Sequence, residues 1–116
     1  MLVPEDGKGS DVIRGALELL ILRTLQLGPM HGWGSTELIE QRSRRLLAVN
    51  QGSLYPALYQ LVRDGMLASE WDTTDNNRKA RYYRLTAAGR EHLAQERGQW
   101  KRLSPGVNLV LAPEAT

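Results

Sequence analysis

The run from Gly52 to Gly65 constrains this 116-residue chain more than any other segment. Leu54, Leu58, Leu61 and Val62 fall at i, i+4, i+7 and i+8, the spacing of one face of a helix. Ser53 or Asn50 is available as N-cap, and Gly65 is placed to end the helix as a C′ residue. Pro56 is expected in the first turn, where its missing N–H has no helical partner to lose. So short a helix depends on neighbours that cover its apolar stripe, and the rest of the chain must supply them.

Upstream, a first helix is predicted from about Asp11, a plausible N-cap, to about Leu27, with Leu17, Leu20, Ile21, Thr24 and Leu25 facing inward. Gly28-Pro29 stops it. A second helix is predicted over Gly32 to Ser43, with Trp33, Leu38 and Ile39 as its buried contacts. A basic connection, Arg42 to Arg45, leads into Leu46, Leu47 and Val49, which suit a short strand. Downstream, Met66 to Trp71 and Ala80 to Leu85 read as strands around the turn-forming segment from Asp72 to Lys79. Thr86 caps a last helix from about Ala87 to Leu103, with an apolar seam of Leu93, Trp100 and Leu103. Ser104-Pro105-Gly106 is expected to break or kink that helix, leaving Val107 to Leu111 as an apolar tail. The expected fold is therefore mainly α with a small β-hairpin, a winged helix-turn-helix with one added C-terminal helix.

Charge is partitioned along the chain. Gln41 to Arg63 and Asn76 to Arg90 hold nine of the fifteen basic residues and none of the thirteen acidic ones. The other 78 residues sum to six minus thirteen, or −7, so the formal net charge of +2 hides one basic region and an acidic remainder. A polyanion responds to such a local surface and not to the average.

With Leu54, Leu58, Leu61 and Val62 inward, Gly52, Pro56, Tyr59, Gln60 and Arg63 point outward, and Ser53 and Tyr55 lie on the flanks. Amides read base edges, while hydroxyls and guanidinium groups hold phosphates. An isolated helix of this kind is more often a plain solvated face. The hairpin turn adds Asn76, Asn77, Arg78 and Lys79, with Arg81 following. These cations suit a DNA groove or its phosphates, although a solubilising turn that guards a sheet edge has the same composition. The two features together, each free of acids, favour a DNA-binding surface.

Other chemistries find little support. There is no cysteine, hence no disulfide framework or thiolate metal site. Only two histidines are present; His31 is expected to serve a helix-start hydrogen bond or packing, and His92 is far from it. No metal or cofactor is expected. No nucleophile elbow, phosphate loop or zinc-protease motif occurs, so no enzyme is expected, and Glu37 with Glu40 is read as a solvated helix face. Ala16 to Leu27 is too short and too charged for a bilayer span and follows no signal-peptide pattern, which predicts a soluble cytoplasmic domain.

The chain resembles the PadR family of transcriptional regulators, of the short type with one C-terminal helix. The resemblance rests on Leu17-Glu18-Leu19-Leu20-Ile21-Leu22, on Met30-His31-Gly32-Trp33-Gly34, on Gln51 to Leu58 with Leu61 and Gly65, and on Arg81 to Arg90. It covers roughly Val12 to Leu103. It implies a DNA-binding repressor that dimerises through its C-terminal helix, with Ser53, Tyr55 and Pro56 opening the recognition helix and Arg78 to Arg81 forming the wing. Trp33 stands where the family commonly has tyrosine, and a packing role is expected for it. The Ser104-Pro105-Gly106 break falls where related chains continue the helix. Some members bind planar compounds at the dimer interface beside a tryptophan of that helix.

The resulting expectation is a homodimeric repressor on an inverted-repeat operator, with double-stranded DNA and a second copy of itself as partners. Residues 1–10 would be a flexible N terminus, 11–86 the winged-helix domain and 87–111 the dimerisation helix and tail. DNA contacts are expected from Gln51, Gly52, Ser53, Tyr55, Pro56, Tyr59, Gln60, Arg63, Asn77, Arg78, Lys79 and Arg81. Dimer contacts are expected from Leu17, Leu93, Trp100 and Leu103. Trp100 is also a candidate platform for a small planar ligand, although a plain interface anchor is favoured. The alternative is a winged-helix protein-interaction module whose third helix and Trp71 or Trp100 bind a protein.

Overall fold

The computed structural model of the chain describes residues 10, 11 and 14–114. The elements in order are β1 (Ser10–Asp11), α1 (Arg14–Gln26), β2 (Met30–His31), α2 (Gly32–Arg42), β3 (Leu47–Ala48), α3 (Gln51–Arg63), β4 (Leu67–Thr73), β5 (Lys79–Leu85) and α4 (Ala87–Leu111). Residues 1–9 of the expected flexible terminus lie outside the described residues. Asp11 is not the N-cap of the first helix: β1 pairs in parallel with β3, Ser10 with Leu47 and Asp11 with Ala48.

One core joins all four helices to the sheet. Leu17, Ile21, Leu22 and Leu25 of α1 pack with Ile39 of α2, with Leu54, Ala57, Leu58 and Leu61 of α3, with Leu67, Tyr83 and Leu85 of the sheet, and with Leu93 of α4. Inside it, the Thr24 and Ser35 hydroxyls satisfy each other at 2.7 Å, and Thr24 also donates to the Ile21 carbonyl. Trp33 is not the buried contact expected of it: it is 58% exposed, and the buried residues of α2 are Gly32, Ser35, Thr36 and Ile39. Gly32 holds that place because a Cβ there would lie 3.3 Å from both Leu58 Cδ1 and Tyr55 Cε1, so α2 seats directly on α3.

Asn50 caps α3, its Oδ1 accepting the Gly52 N–H at 2.7 Å. With the cap at Asn50, Pro56 is the sixth residue of the helix and not a first-turn residue. It therefore withholds an N–H from the Gly52 carbonyl, and the helix continues because Gly52 is exposed and its oxygen can turn to solvent. The far end is a Schellman motif: Met66 N–H donates to the Leu61 carbonyl, Gly65 N–H donates to the Val62 carbonyl, and Gly65 takes φ +78°. The end of α2 repeats this pattern, with Arg44 at φ 53° in the place where glycine is usual and Arg45 following at φ 61°.

The predicted hairpin has a third strand that sequence reasoning missed. The sheet order is β2-β5-β4, with β2 antiparallel to β5 through Met30–Tyr83 and His31–Tyr82. A two-residue strand beside Gly28-Pro29 carries no alternation to detect. His31 also caps α2, its Nδ1 accepting the Gly34 N–H at 3.0 Å.

The last helix is one element of 25 residues, about 37 Å at the usual rise. Ser104-Pro105-Gly106 does not end it. Proline keeps a helical φ, so Pro105 costs the N–H to the Lys101 carbonyl without ending the helix. Gly106 is not among the positive-φ glycines of the described residues, which are Gly28 and Gly65. The helix stops at Ala112, extended at ψ 142°, as the residue before Pro113 favours.

Candidate nucleic-acid interface

The middle of α3 and the wing, β4 with β5, form the walls of an open groove of about 530 Å³. Tyr55 and Tyr59 of α3 and Trp33 of α2 line one wall. Trp71, Lys79, Arg81 and Tyr83 of the wing line the other, and Thr74, Asn76 and Arg78 of the turn close the end. None of the lining residues is acidic.

Strand register explains that selection. Direct pairs are Ser69–Tyr83, Trp71–Arg81 and Thr73–Lys79, and these share one face of the sheet. Glu70 and Asp72 pair with Tyr82 and Ala80 on the opposite face. Alternation thus places Lys79 and Arg81 on the face away from Glu70 and Asp72, while Arg84, paired with Ala68, falls on the acidic face. Arg81 is steadied by its Nε donating to Ser69 Oγ at 3.0 Å. Asn77, at φ 61°, shapes the turn, where the Thr74 N–H meets the Arg78 carbonyl at 2.8 Å. On the groove floor, burial pushes the Tyr83 hydroxyl above the ordinary tyrosine value, with Arg81 pulling the other way.

Of the residues expected to meet DNA, Tyr55, Tyr59, Arg78, Lys79 and Arg81 converge on this groove. Gln51, Gly52 and Pro56 are exposed along α3, and Ser53 is half-buried beside them. Gln60 and Arg63 lie toward the other end of the helix, where the Gln60 amide donates to Asp64 Oδ1 at 3.0 Å. Asn77 is exposed on the turn but does not line the groove. Sequence reasoning gave Trp33 a packing role and weighed Trp71 only as a protein contact, yet both stand in the groove. Hairpin pairing of Trp71 with Arg81 was the signal that would have placed the second.

The expected dimer residues divide in two. Leu17 and Leu93 are each 1% exposed within a single chain, held between α1 and α4, so neither has surface to offer a partner. Trp100 and Leu103 are half exposed beside a shallow cavity of about 380 Å³ with Ala16 and Leu19 of α1. Beyond them Val107, Leu109, Val110 and Leu111 also face solvent. Among the described residues no helix is long and apolar enough to cross a membrane, and no cluster of three or more His, Asp or Glu side chains could hold a metal ion.

The model of the transcriptional regulator PadR-like family matches residues 21–95, from the middle of α1 to the first turns of α4. The chain belongs to this family. Transcriptional regulator Rv3488 of Mycobacterium tuberculosis is 39% identical over 95 residues, which cover 81% of this chain and 84% of that protein. A solved PadR family regulator from Eggerthella lenta is 31% identical with a TM-score of 0.72, over 87% of this chain and 86% of that one. A transcriptional regulator from Clostridium thermocellum has a TM-score of 0.78 at 24% identity, over 86% of this chain and 97% of that one, which is a likeness of fold. In this PadR-like chain the matched region includes both walls of the groove.

Proposed function

We propose that this chain is a homodimeric transcriptional repressor that binds double-stranded DNA in the cytoplasm through α3 and the wing. The observation that carries the reading is the groove in which Arg78, Lys79 and Arg81 stand opposite Tyr55 and Tyr59 with no acid in its lining. Major-groove contacts would come from the exposed face of α3, and the wing would hold an adjacent phosphate strand. The exposed apolar face of α4 from Trp100 to Leu111 supports pairing with a second copy, because so many apolar residues on one helix are rarely left to water. Two-fold symmetry then requires an inverted-repeat operator with half-sites about one helical turn, or a multiple, apart. The cavity beside Trp100 favours a second element of this reading, release from DNA by a small planar ligand.

The test is fluorescence anisotropy of a labelled duplex from upstream of the gene, against a scrambled duplex, over a salt series. Sequence-selective binding with a steep salt dependence is expected. Arg78→Ala with Lys79→Ala should weaken binding to all sequences and flatten the salt slope by up to about 2 per subunit. Weak, salt-insensitive binding without preference would instead favour a surface built for a protein partner.

A further inference from the structure

The groove is more aromatic than phosphate binding requires. Trp33, Tyr55, Tyr59 and Trp71 are 58%, 41%, 51% and 67% exposed, and all four line it. None belongs to the core cluster, although one edge of the Tyr55 ring also packs against Gly32. Phosphates are held by cations, hydroxyls and N–H groups, and a tryptophan offers them one N–H on a large apolar ring. A paired duplex keeps its base faces covered by stacking and presents only base edges and backbone. An unpaired strand exposes base faces, and aromatic rings set among cations are how proteins hold it.

We infer that the groove is also a binding site for an unpaired nucleic-acid strand, with bases stacked on Trp33 and Trp71 and phosphates held by Arg78, Lys79 and Arg81. The two indoles come from opposite walls, one from the first turn of α2 and one from β4, so bases are gripped from both sides. The volume leaves room for about one or two bases, within the range of pockets that enclose small planar ligands. The acid-free lining excludes a basic peptide as the natural occupant, since cations would face cations. The inference rests on the same basic surface as the duplex reading but adds a different ligand.

The experiment uses the full chain, a short labelled oligo(dT), and a strand of equal length with abasic sites in place of the bases. Oligo(dT) is expected to bind, to quench tryptophan fluorescence, and to bind much more tightly than the abasic strand. Trp33→Ala and Trp71→Ala should each weaken oligo(dT) binding by about fivefold to a hundredfold. Equal binding of the abasic strand would overturn the proposal without depending on how any variant folds. Oligo(rU) run in parallel separates the two sources of such a strand: quenching by either supports the site, and quenching by neither overturns it. Tight duplex binding with no binding of either oligo(dT) or oligo(rU) would sink this inference alone. Oligo(dT) binding with no duplex selectivity would sink the operator reading and leave this one standing.

Discussion

Glu40 Oε2 accepts the backbone N–H of Val49 at 3.0 Å, across the connection from α2 to α3. The same carboxylate lies 3.8 Å from the Arg45 guanidinium. One side chain therefore fixes the point at which the chain turns toward α3. Glu40→Ala should lower stability by about 1–2 kcal/mol, because a half-buried N–H loses a charged acceptor. Glu37→Ala, whose carboxylate meets only the exposed Gln41 amide among the described residues, should change it by less than about 0.5 kcal/mol. Urea melts of both variants check the contrast, and equal effects would remove Glu40 from this role.

Thr86 and Gly89 join α4 to the end of α3. The Thr86 hydroxyl accepts the Gly89 N–H at 3.0 Å and reaches the Gly65 carbonyl at 2.7 Å. A Cβ on Gly89 would run into the Met66 carbonyl oxygen and stand 2.8 Å from Leu85 Cδ1. Gly89→Ala is expected to cost about 2–3 kcal/mol by forcing α4 off the sheet, and Thr86→Ala about 1 kcal/mol as a lost cap. Thermal melts of the two should rank in that order.

Arg44 occupies a left-handed position at the end of α2. Arg44→Gly should raise stability by up to about 1 kcal/mol, since glycine adopts that conformation without a Cβ clash. A fall in the denaturation midpoint would show that the arginine side chain contributes more than its backbone strain costs.

Thr36 Oγ1 is buried with no hydrogen-bond partner, unlike the Thr24–Ser35 pair nearby. Thr36→Val should be neutral or stabilise the fold by about 1 kcal/mol, whereas Thr24→Val should cost about 1–3 kcal/mol by stranding Ser35. Matching losses in both variants would mean that the Thr36 hydroxyl has a partner after all.

Tyr83 gives the fold an alkaline limit. Burial raises its folded value above the unfolded 10.0, so the folded chain holds that proton more firmly. The contribution is complete below the unfolded value and is lost as pH climbs through the raised folded one. Tyr83→Phe should therefore flatten the loss of stability above about pH 10 while leaving neutral pH nearly unchanged. Denaturant midpoints across that window check the sign.

Much of this was legible in the sequence. The stripe of Leu54, Leu58 and Leu61 and the stop at Gly65 located α3, and alternation located the hairpin. Pro105 misled because proline interrupts one hydrogen bond and the pattern cannot show whether the turns on either side hold. Trp33 misled because hydropathy assigns a large ring to the interior, while Gly32 is what fits against α3. Leu17 and Leu93 carried the right periodicity, but periodicity cannot tell a partner within the chain from one outside it. The groove depends on which wing residues share a face, and register became definite only through three-dimensional pairing.

His31 sits in two structures at once, capping α2 and pairing with Tyr82 of β5. The root of the wing is thereby bolted to the helical body, while β4 and β5 run on past β2 as a free ribbon. The groove is therefore tied to the helical body at its base, and from there to Thr73–Lys79 its wing wall rests, among the described residues, on the pairing of β4 with β5 alone.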